Sequence, residues 1–588
     1  MPPRSSTLWL ATAFTAAALA CAGCASHPPP RPLQADVIVV GAGIAGLAAA
    51  LQAADGGARV VVVDSNSVGG GHAMLASGFS LVGTPLQQKL GYHDDVERAV
   101  RDILAWGGDA DPYWVRRYVE DSRHEVYDWL VDRGVEFAMI LPNPEDSVPR
   151  FHLPRGAAAR AVLPMLRGAL GSPQIAFLWN HEVTGVLRGA AGITGVTVRD
   201  SRSGHQLRVD APAVVIATGG FESNDALVRE HWPGDRAVPE PLYVGSGQFA
   251  TGSGLQLAVG AGATLERMDR QLVYVTGMPN PRDPAHRRGL LVLNPAAIMV
   301  DAQGRRFVNE AAPSKDIESL LLSRPQASHW LVFDEGSRAQ LMIRGGPWLD
   351  RKAMEADIMA NPALVSRADD IAALAVAAGL PPDALAATLD RYNGFVSAGR
   401  DADFQRFGQG TAGPPPPALK VPPFYAIKLS PMTRKSMGGI AIDHDAHALG
   451  AGGQPVRGLY AAGEATGVAG INGSHGGSGT FLGPSLLLGR IAGRTAAAEA
   501  VPLRRPDVGG AVDLPLRAPA DRDPVPPEAL GPRLAQEQPG FWHFTQVHRL
   551  VMERQQACAS CHDATWPPGP AVTREQQLTQ LASCTRCH

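Results

Sequence analysis

Between residues 36 and 64 the chain carries a pattern that leaves few folds open. Asp36-Val-Ile-Val-Val40 is a short apolar run rich in β-branched residues, as in a parallel strand buried on both faces. Gly41-Ala-Gly43-Ile-Ala-Gly46 follows, then a helical stretch from Leu47 to Ala54. A second strand, Arg59-Val-Val-Val-Val-Asp64, ends in a carboxylate. Glycines at this spacing let the backbone approach a pyrophosphate at a helix N-terminus, and Asp64 is placed to accept from a ribose hydroxyl. With 65 glycines in 588 residues, three at fixed spacing arise by chance about once in such a chain. The strand before, the helix after and the acid 18 residues past Gly46 make the pattern specific. It predicts an α/β dinucleotide-binding unit. NAD and FAD both satisfy it.

Composition bounds the rest. A hydrophobic fraction of 45% with 19% charged residues supports a large core and excludes wholesale disorder. The net charge of −3, without a long basic run, argues against a nucleic-acid partner. All six cysteines lie at the ends (Cys21, Cys24, Cys558, Cys561, Cys584, Cys587), so the interior uses neither disulfides nor thiol chemistry. After Arg4, Leu8 to Ala20 is an apolar stretch of signal-peptide length, too short to span a bilayer. The small residues before Cys24 resemble a bacterial lipoprotein processing site, with Cys21 the second choice and ordinary signal-peptidase cleavage the alternative. Residues 1–24 are therefore expected to be a signal peptide. The mature protein is expected on the periplasmic face of a bacterial membrane, lipid-anchored at Cys24, with proline-rich 25–34 as a stiff tether.

Further motifs separate the two ligands. Ser65 leads into Val68-Gly-Gly-Gly-His-Ala-Met-Leu-Ala-Ser-Gly78. Val214-Val-Ile-Ala-Thr-Gly-Gly220-Phe221 is a strand entering a glycine turn, and Gly458-Leu-Tyr-Ala-Ala-Gly-Glu-Ala-Thr-Gly467 lies near the end. With Gly304-Arg-Arg-Phe-Val-Asn-Glu310, Pro423-Phe-Tyr-Ala426 and Gly489-Arg-Ile-Ala-Gly493, this set resembles the fumarate-reductase/3-ketosteroid-dehydrogenase superfamily of FAD enzymes over about residues 35–500. The resemblance implies an α/β fold, a Rossmann-like FAD-binding domain (35–265 and 437–500) split by an α+β capping domain (266–436). It implies FAD contacts from Gly41, Gly43, Gly46, Asp64, Ser65, Gly70, Gly71, His72, Ala217, Thr218, Gly219, Glu464, Thr480 and Leu482. Texture agrees: Asp111-Pro112 reads as a helix start, and Val115, Val119, Val126, Trp129 and Leu130 trace one apolar face as far as Gly134.

Members of that superfamily move hydride between flavin and a carbon next to a carbonyl or carboxylate, so an acid/base group and donors for the carbonyl oxygen are needed. Where the fumarate reductases carry a proton-donating arginine, this chain has Ser314, with Lys315 next. Their histidine before Met-Gly-Gly is replaced by Arg434-Lys435-Ser436, and their substrate-clamping arginine falls near Ser474. His475-Gly-Gly-Ser-Gly479 instead resembles the tyrosine-containing loop of the steroid dehydrogenases, with His475 and Gly479 at the positions that polarise the carbonyl. The candidate catalytic residues are thus His475, Gly479, Lys435, Arg434 and Ser314. Each has a plainer alternative: a flavin-packing histidine, solvent-facing cations, a serine too weak to donate a proton. His72 and His152 read as structural or flavin-adjacent.

Residues 501–540 hold nine prolines and no long apolar period, a linker. Beyond it stand Cys558-Ala-Ser-Cys561-His562 and Cys584-Thr-Arg-Cys587-His588. Cys-x-x-Cys-His is the attachment signature of c-type haem, two thiols for the vinyl groups and a histidine for the iron. A four-cysteine zinc ribbon is the rival, disfavoured by the two histidines and the export signal. His543 and His548 are the natural sixth ligands, unless one is a surface histidine. Residues 541–588 are then expected to be a small, mostly helical dihaem segment. The whole reads as an exported flavocytochrome with FAD and two covalent haems, a small-molecule substrate, and an external cytochrome or quinol-linked redox partner. The favoured activity is reduction of an activated alkene. The alternatives are a dehydrogenase of a ketone or acid, and a non-catalytic electron-transfer module.

Overall fold

The structure is a computed structural model and describes residues 33–503 apart from 67–68, 156–157, 202, 284, 325, 345–350 and 409–414. The expected signal peptide, lipid site at Cys24, most of the linker, and all of the haem cysteines and histidines lie outside the described residues. Among the described residues no helix is long and apolar enough to cross a membrane.

The first strand, β1 (Val37–Val40), is buried at every position, as its uninterrupted β-branched run requires. It turns at Gly41 into α1 (Ile44–Asp55) and returns as β2 (Val60–Asp64). Later segments add β3 (Ile175–Trp179) and β4 (Ala213–Ile216). After a long excursion the chain contributes β5 (Gln271–Pro279), α2 (Ser314–Leu322) and β6 (Phe424–Ser436). It then comes back to the first sheet as β7 (Pro455–Ala461) and closes with α3 (Leu482–Ala500). The first sheet runs His447–Leu449, β7, β4, β1, β2, β3, parallel except for the first strand. The order reverses between β1 and β4, and ligands of open α/β sheets bind at the carboxyl ends of strands beside such a point.

The α1–α3 contact shows why the sequence needs small residues there. A Cβ on Gly489 would lie 2.2 Å from the Ala45 carbonyl oxygen, and one on Gly493 2.2 Å from that of Ala49. Two glycines four apart therefore meet two alanines four apart, and α3 lies almost backbone to backbone on α1. The two contacts follow in the same order along both helices, so α1 and α3 run parallel.

The second sheet has eight strands, with β6 and β5 side by side at its centre and His329–Asp334, Ile298–Val300, Gly289–Leu293 and Met342–Arg344 outward from them. Its path lies within the expected cap, 266–436, with one difference. Tyr243–Val244 already pairs in parallel with Met432–Thr433, so the chain enters this sheet earlier than residue 266. The expected apolar helix starts at Pro112, with Asp111 accepting from the Trp114 N–H (2.9 Å), and Val115, Val119, Val126, Trp129 and Leu130 are all buried. It widens into a π-helical stretch over Ser122–Asp128, which a 3.6-residue period does not foretell.

One buried cation ties this region to the site. The Arg150 guanidinium is inaccessible to solvent and meets Asp94 (2.7 Å), Asp102 (2.7 Å) and Asp146 (3.1 Å). Its carbonyl receives the Leu81 N–H, and the neighbouring Ser80 N–H donates to the carbonyl of Gly479 (2.9 Å), so the network fixes the loop that bears His475. His152 is buried, with Nε2 2.7 Å from Thr84 Oγ1 and Nδ1 2.6 Å from the Arg150 carbonyl, and burial pushes it down to about 4.

Candidate active site

The glycine turn after β1 is built by exclusion. Gly41 has φ +102°, and a Cβ there would sit 2.5 Å from the Ala217 carbonyl oxygen; a Cβ on Gly46 would sit 1.8 Å from that of Gly41. Around Gly43, in contrast, nothing lies within 4 Å of the Cβ position. That open space faces the start of α1, which no side chain caps. Its free N–H groups and the helix dipole suit a pyrophosphate. Asp64 accepts from the Ala42 N–H (2.6 Å) and the Asn66 N–H (2.7 Å), and burial pushes its carboxyl up to about 6. The expected ribose acceptor therefore also clamps the turn itself. Ser65 starts the segment that passes beneath this turn, and the Gly70 N–H donates to the Ala42 carbonyl (2.8 Å); Gly70 and Gly71 both have positive φ.

Across the crevice, the Ala217 N–H bonds the Val40 carbonyl (2.8 Å), Thr218 Oγ1 is buried without a partner, and the Cβ position of Gly219 is open. Thr480 donates to the Gly477 carbonyl (2.7 Å), which holds the turn ahead of Leu482, the first residue of α3. These features fit FAD: a glycine cradle no side chain fills, an uncapped helix end and a carboxylate at the end of β2.

The candidate catalytic residues separate into groups. Lys435 is buried, and its Nζ donates to Glu464 Oε2 (2.9 Å) and lies 2.9 Å from His72 Nδ1. Burial, then the charges of Lys435, Arg434 and Arg288, hold His72 well below the usual histidine range. Lys435 is therefore spent on an internal ion pair. Arg434 lies on the bulge of β6 and donates to the Gly245 carbonyl (2.5 Å). Ser314 is exposed, and its backbone N–H donates to Glu145 Oε1 (3.3 Å).

His475 stands apart from both. It is half-buried, its Nδ1 has no partner, and burial followed by the charges of Lys315 and Arg236 lowers its pKa. Gly479 has φ +79°, and a Cβ there would lie 2.6 Å from the Ser80 nitrogen. It is a packing necessity as well as a candidate donor.

Sequence reasoning missed three groups. Glu222, just past Gly219-Gly220-Phe221, is fully buried with both oxygens unpartnered, and burial and the nearby Glu464 hold it protonated well above the usual range. Arg288 is brought to Arg434 by the second sheet. Glu318, one turn after Ser314 on α2, is buried, and its nearest cation, Arg236, is 3.9 Å away. A carboxylate directly after the Gly-Gly-Phe turn was a readable signal for the first. The other two depend on tertiary contacts.

Glu318 supports a pH prediction. Burial pushes it up to about 8 from an ordinary 4.5. Between those values the folded protein holds a proton that the unfolded chain has lost, so stability falls as pH rises through this window. Glu318→Gln should remove that fall and leave the variant more stable than wild type at pH 8 by roughly 4 kcal/mol at most. Denaturant midpoints at pH 5 and pH 8 check it. Parallel changes in both proteins would refute it.

Comparison with known proteins decides the family. The profile of the FAD binding domain family matches residues 36–482. The chain belongs to that family. It is an FAD-dependent oxidoreductase acting on CH–CH groups. It is 31% identical over 474 residues to the NADH:fumarate oxidoreductase of Klebsiella pneumoniae, with 80% of this chain aligned, and it spans about half (48%) of that longer protein. It is 30% identical over 545 residues to a KsdD-like steroid dehydrogenase of Mycobacterium tuberculosis, covering 79% of this chain and 96% of that one. Among solved structures, the open conformation of a flavocytochrome c3 fumarate reductase matches with a TM-score of 0.65 and 27% identity, over 85% of this chain and 83% of the other.

Proposed function

We propose that the protein is an exported flavocytochrome that reduces a C=C bond conjugated to a carbonyl or carboxylate, with electrons arriving through two c-type haems on its C-terminal segment. The observation that carries this reading is His475 in the glycine-rich loop ahead of α3, half-buried and with its Nδ1 unpartnered among the described residues. FAD, when bound, supplies two-electron hydride chemistry. The chain's own residues must then deliver a proton and steady the charge that develops on the carbonyl oxygen. His475 has the unpartnered Nδ1 for the proton. After burial, the charges of Lys315 and Arg236 lower the His475 pKa, against the opposing Asp109 and Asp316, and positive charge there is favourable to an enolate-like oxygen. Ser314, exposed and without an activating neighbour on its hydroxyl, leaves the acid role to His475. The two Cys-x-x-Cys-His motifs, at 558–562 and 584–588, and the leader ending at Cys24 support haem, export and a lipid anchor. Likeness to fumarate-reducing proteins favours the reductive direction.

A second reading has its own support. An imidazole held below its usual range is neutral at pH 7 and suited to accept a proton, as a dehydrogenase requires. That fits the steroid-dehydrogenase relative.

The haem band tests both readings on the mature protein without oxygen. Reduced enzyme meets a panel of enoates and enones, and oxidised enzyme meets their saturated counterparts. Oxidation of the band by an unsaturated compound is expected. Reduction of the band by a saturated compound would overturn the direction. Absence of any haem band would remove the relay.

A further inference from the structure

Arg434 and Lys435 are neighbours in sequence, but they sit at the bulge of β6: Lys435 is opposite Leu272, Thr433 is opposite Val273, and Arg434 is the extra residue between them. Lys435 faces Glu464, His72 and the ring of Phe481. Arg434 has other neighbours, its guanidinium 5.7 Å from the ring centre of Tyr274. Its companion is Arg288, at the entry to the Gly289–Leu293 strand. Arg288 Nη2 donates to the Ser246 carbonyl (2.5 Å), while Arg434 Nη1 donates to that of Gly245 (2.5 Å). Two guanidiniums thus hang from consecutive carbonyls of one loop, and each keeps further N–H donors.

Both arginines are half-buried, and burial, with the Arg434 charge adding to it, lowers the Arg288 pKa. Among the described residues neither makes an ion pair. Asp283, the acid that acts on Arg288 through its charge, uses Oδ2 to accept from the backbone N–H groups of Arg287 and Arg288 (both 2.7 Å). The same loop continues to Gly247, where a Cβ would lie 3.1 Å from that of His72, whose buried Nε2 also has no partner among the described residues. Partly desolvated cations without a counter-charge are costly, and paired guanidinium forks match a carboxylate in geometry.

We propose that Arg288 and Arg434 form a two-guanidinium clamp for a carboxylate of the substrate. This rests on the reading of the site as an alkene reductase and narrows it, from carbonyl compounds in general to alkenoate anions.

The test uses full-length holoenzyme as wild type, Arg288→Gln, Arg434→Gln and Arg288→Lys. The probes are crotonate, cinnamate and fumarate against the neutral methyl crotonate and cinnamaldehyde, with dissociation constants from calorimetric titration. At least one carboxylate should bind wild type. Either glutamine variant should weaken it tenfold or more, the lysine variant less, with neutral probes little changed. Flavin content and melting temperature should match wild type. The clamp is overturned if no carboxylate binds, if neutral probes lose as much, or if Arg288→Gln emerges without FAD, which would assign the arginines to the cofactor. Arginine-dependent carboxylate binding without turnover would keep the clamp and remove the reductase reading. Turnover confined to neutral probes would do the reverse.

Discussion

Gly46→Ala should yield a protein that carries almost no flavin and melts well below wild type. The added Cβ would lie 1.8 Å from the Gly41 carbonyl oxygen and 2.9 Å from its carbon. Both are backbone atoms, so no side chain can rotate away, and the turn between β1 and α1 must open. Opening it costs several kcal/mol by overpacking alone and shifts the helix end that meets the pyrophosphate. Gly43→Ala is the matching control. Its Cβ meets no protein atom within 4 Å, only the space assigned to FAD. The apoprotein should melt like wild-type apoprotein while FAD affinity falls. Flavin absorbance per mole of chain and thermal unfolding with and without added FAD separate the two cases. A Gly46→Ala protein holding stoichiometric flavin would contradict the placement of the cofactor at this turn.

The same contrast explains what could be read from the sequence. At Gly41 and Gly46 the demand is local: a backbone must pass where a Cβ would collide, and only one residue type permits it. Such positions announce themselves at fixed spacing. The buried strands β1 and β2 are legible for a similar reason, because both of their faces must be apolar. The cap is harder. Its central strands β5 and β6 are joined across more than a hundred residues, and at their bulge Arg434 and Lys435 take different partners. Residue types at 434 and 435 suggested a cationic pair for a substrate, whereas Lys435 is claimed by Glu464 and by His72, 363 positions away in sequence. Arg288 carries no motif at all, and only the sheet brings it to Arg434. Glu318 sits one turn from Ser314, so the helix places a titratable group next to the expected donor, but its burial comes from tertiary packing.

His475→Phe should lower the rate of hydride transfer to an activated alkene by about 10²- to 10⁴-fold, the usual contribution of a positioned acid or base. Folding should be little affected, because the ring is half-buried and its Nδ1 makes no hydrogen bond to lose. The pH profile separates catalysis from packing. Burial, then Lys315 and Arg236, hold His475 below its ordinary value, so its protonated fraction declines as pH rises through that lowered range. If imidazolium is the donor, the rate with pre-reduced wild type should fall over the same interval, and His475→Gln should be slow and flat. Lys315→Met removes the largest of the nearby charges that lower His475 and should move the inflection to higher pH. In the dehydrogenase direction the imidazole accepts the proton, so the rate should rise with pH instead. Rapid-mixing traces of the flavin band across pH 5 to 8 therefore report the residue and the direction together. A His475→Phe enzyme within a few-fold of wild type, with an unchanged profile, would return the acid role to another group, and the buried Glu222 would be the next to substitute.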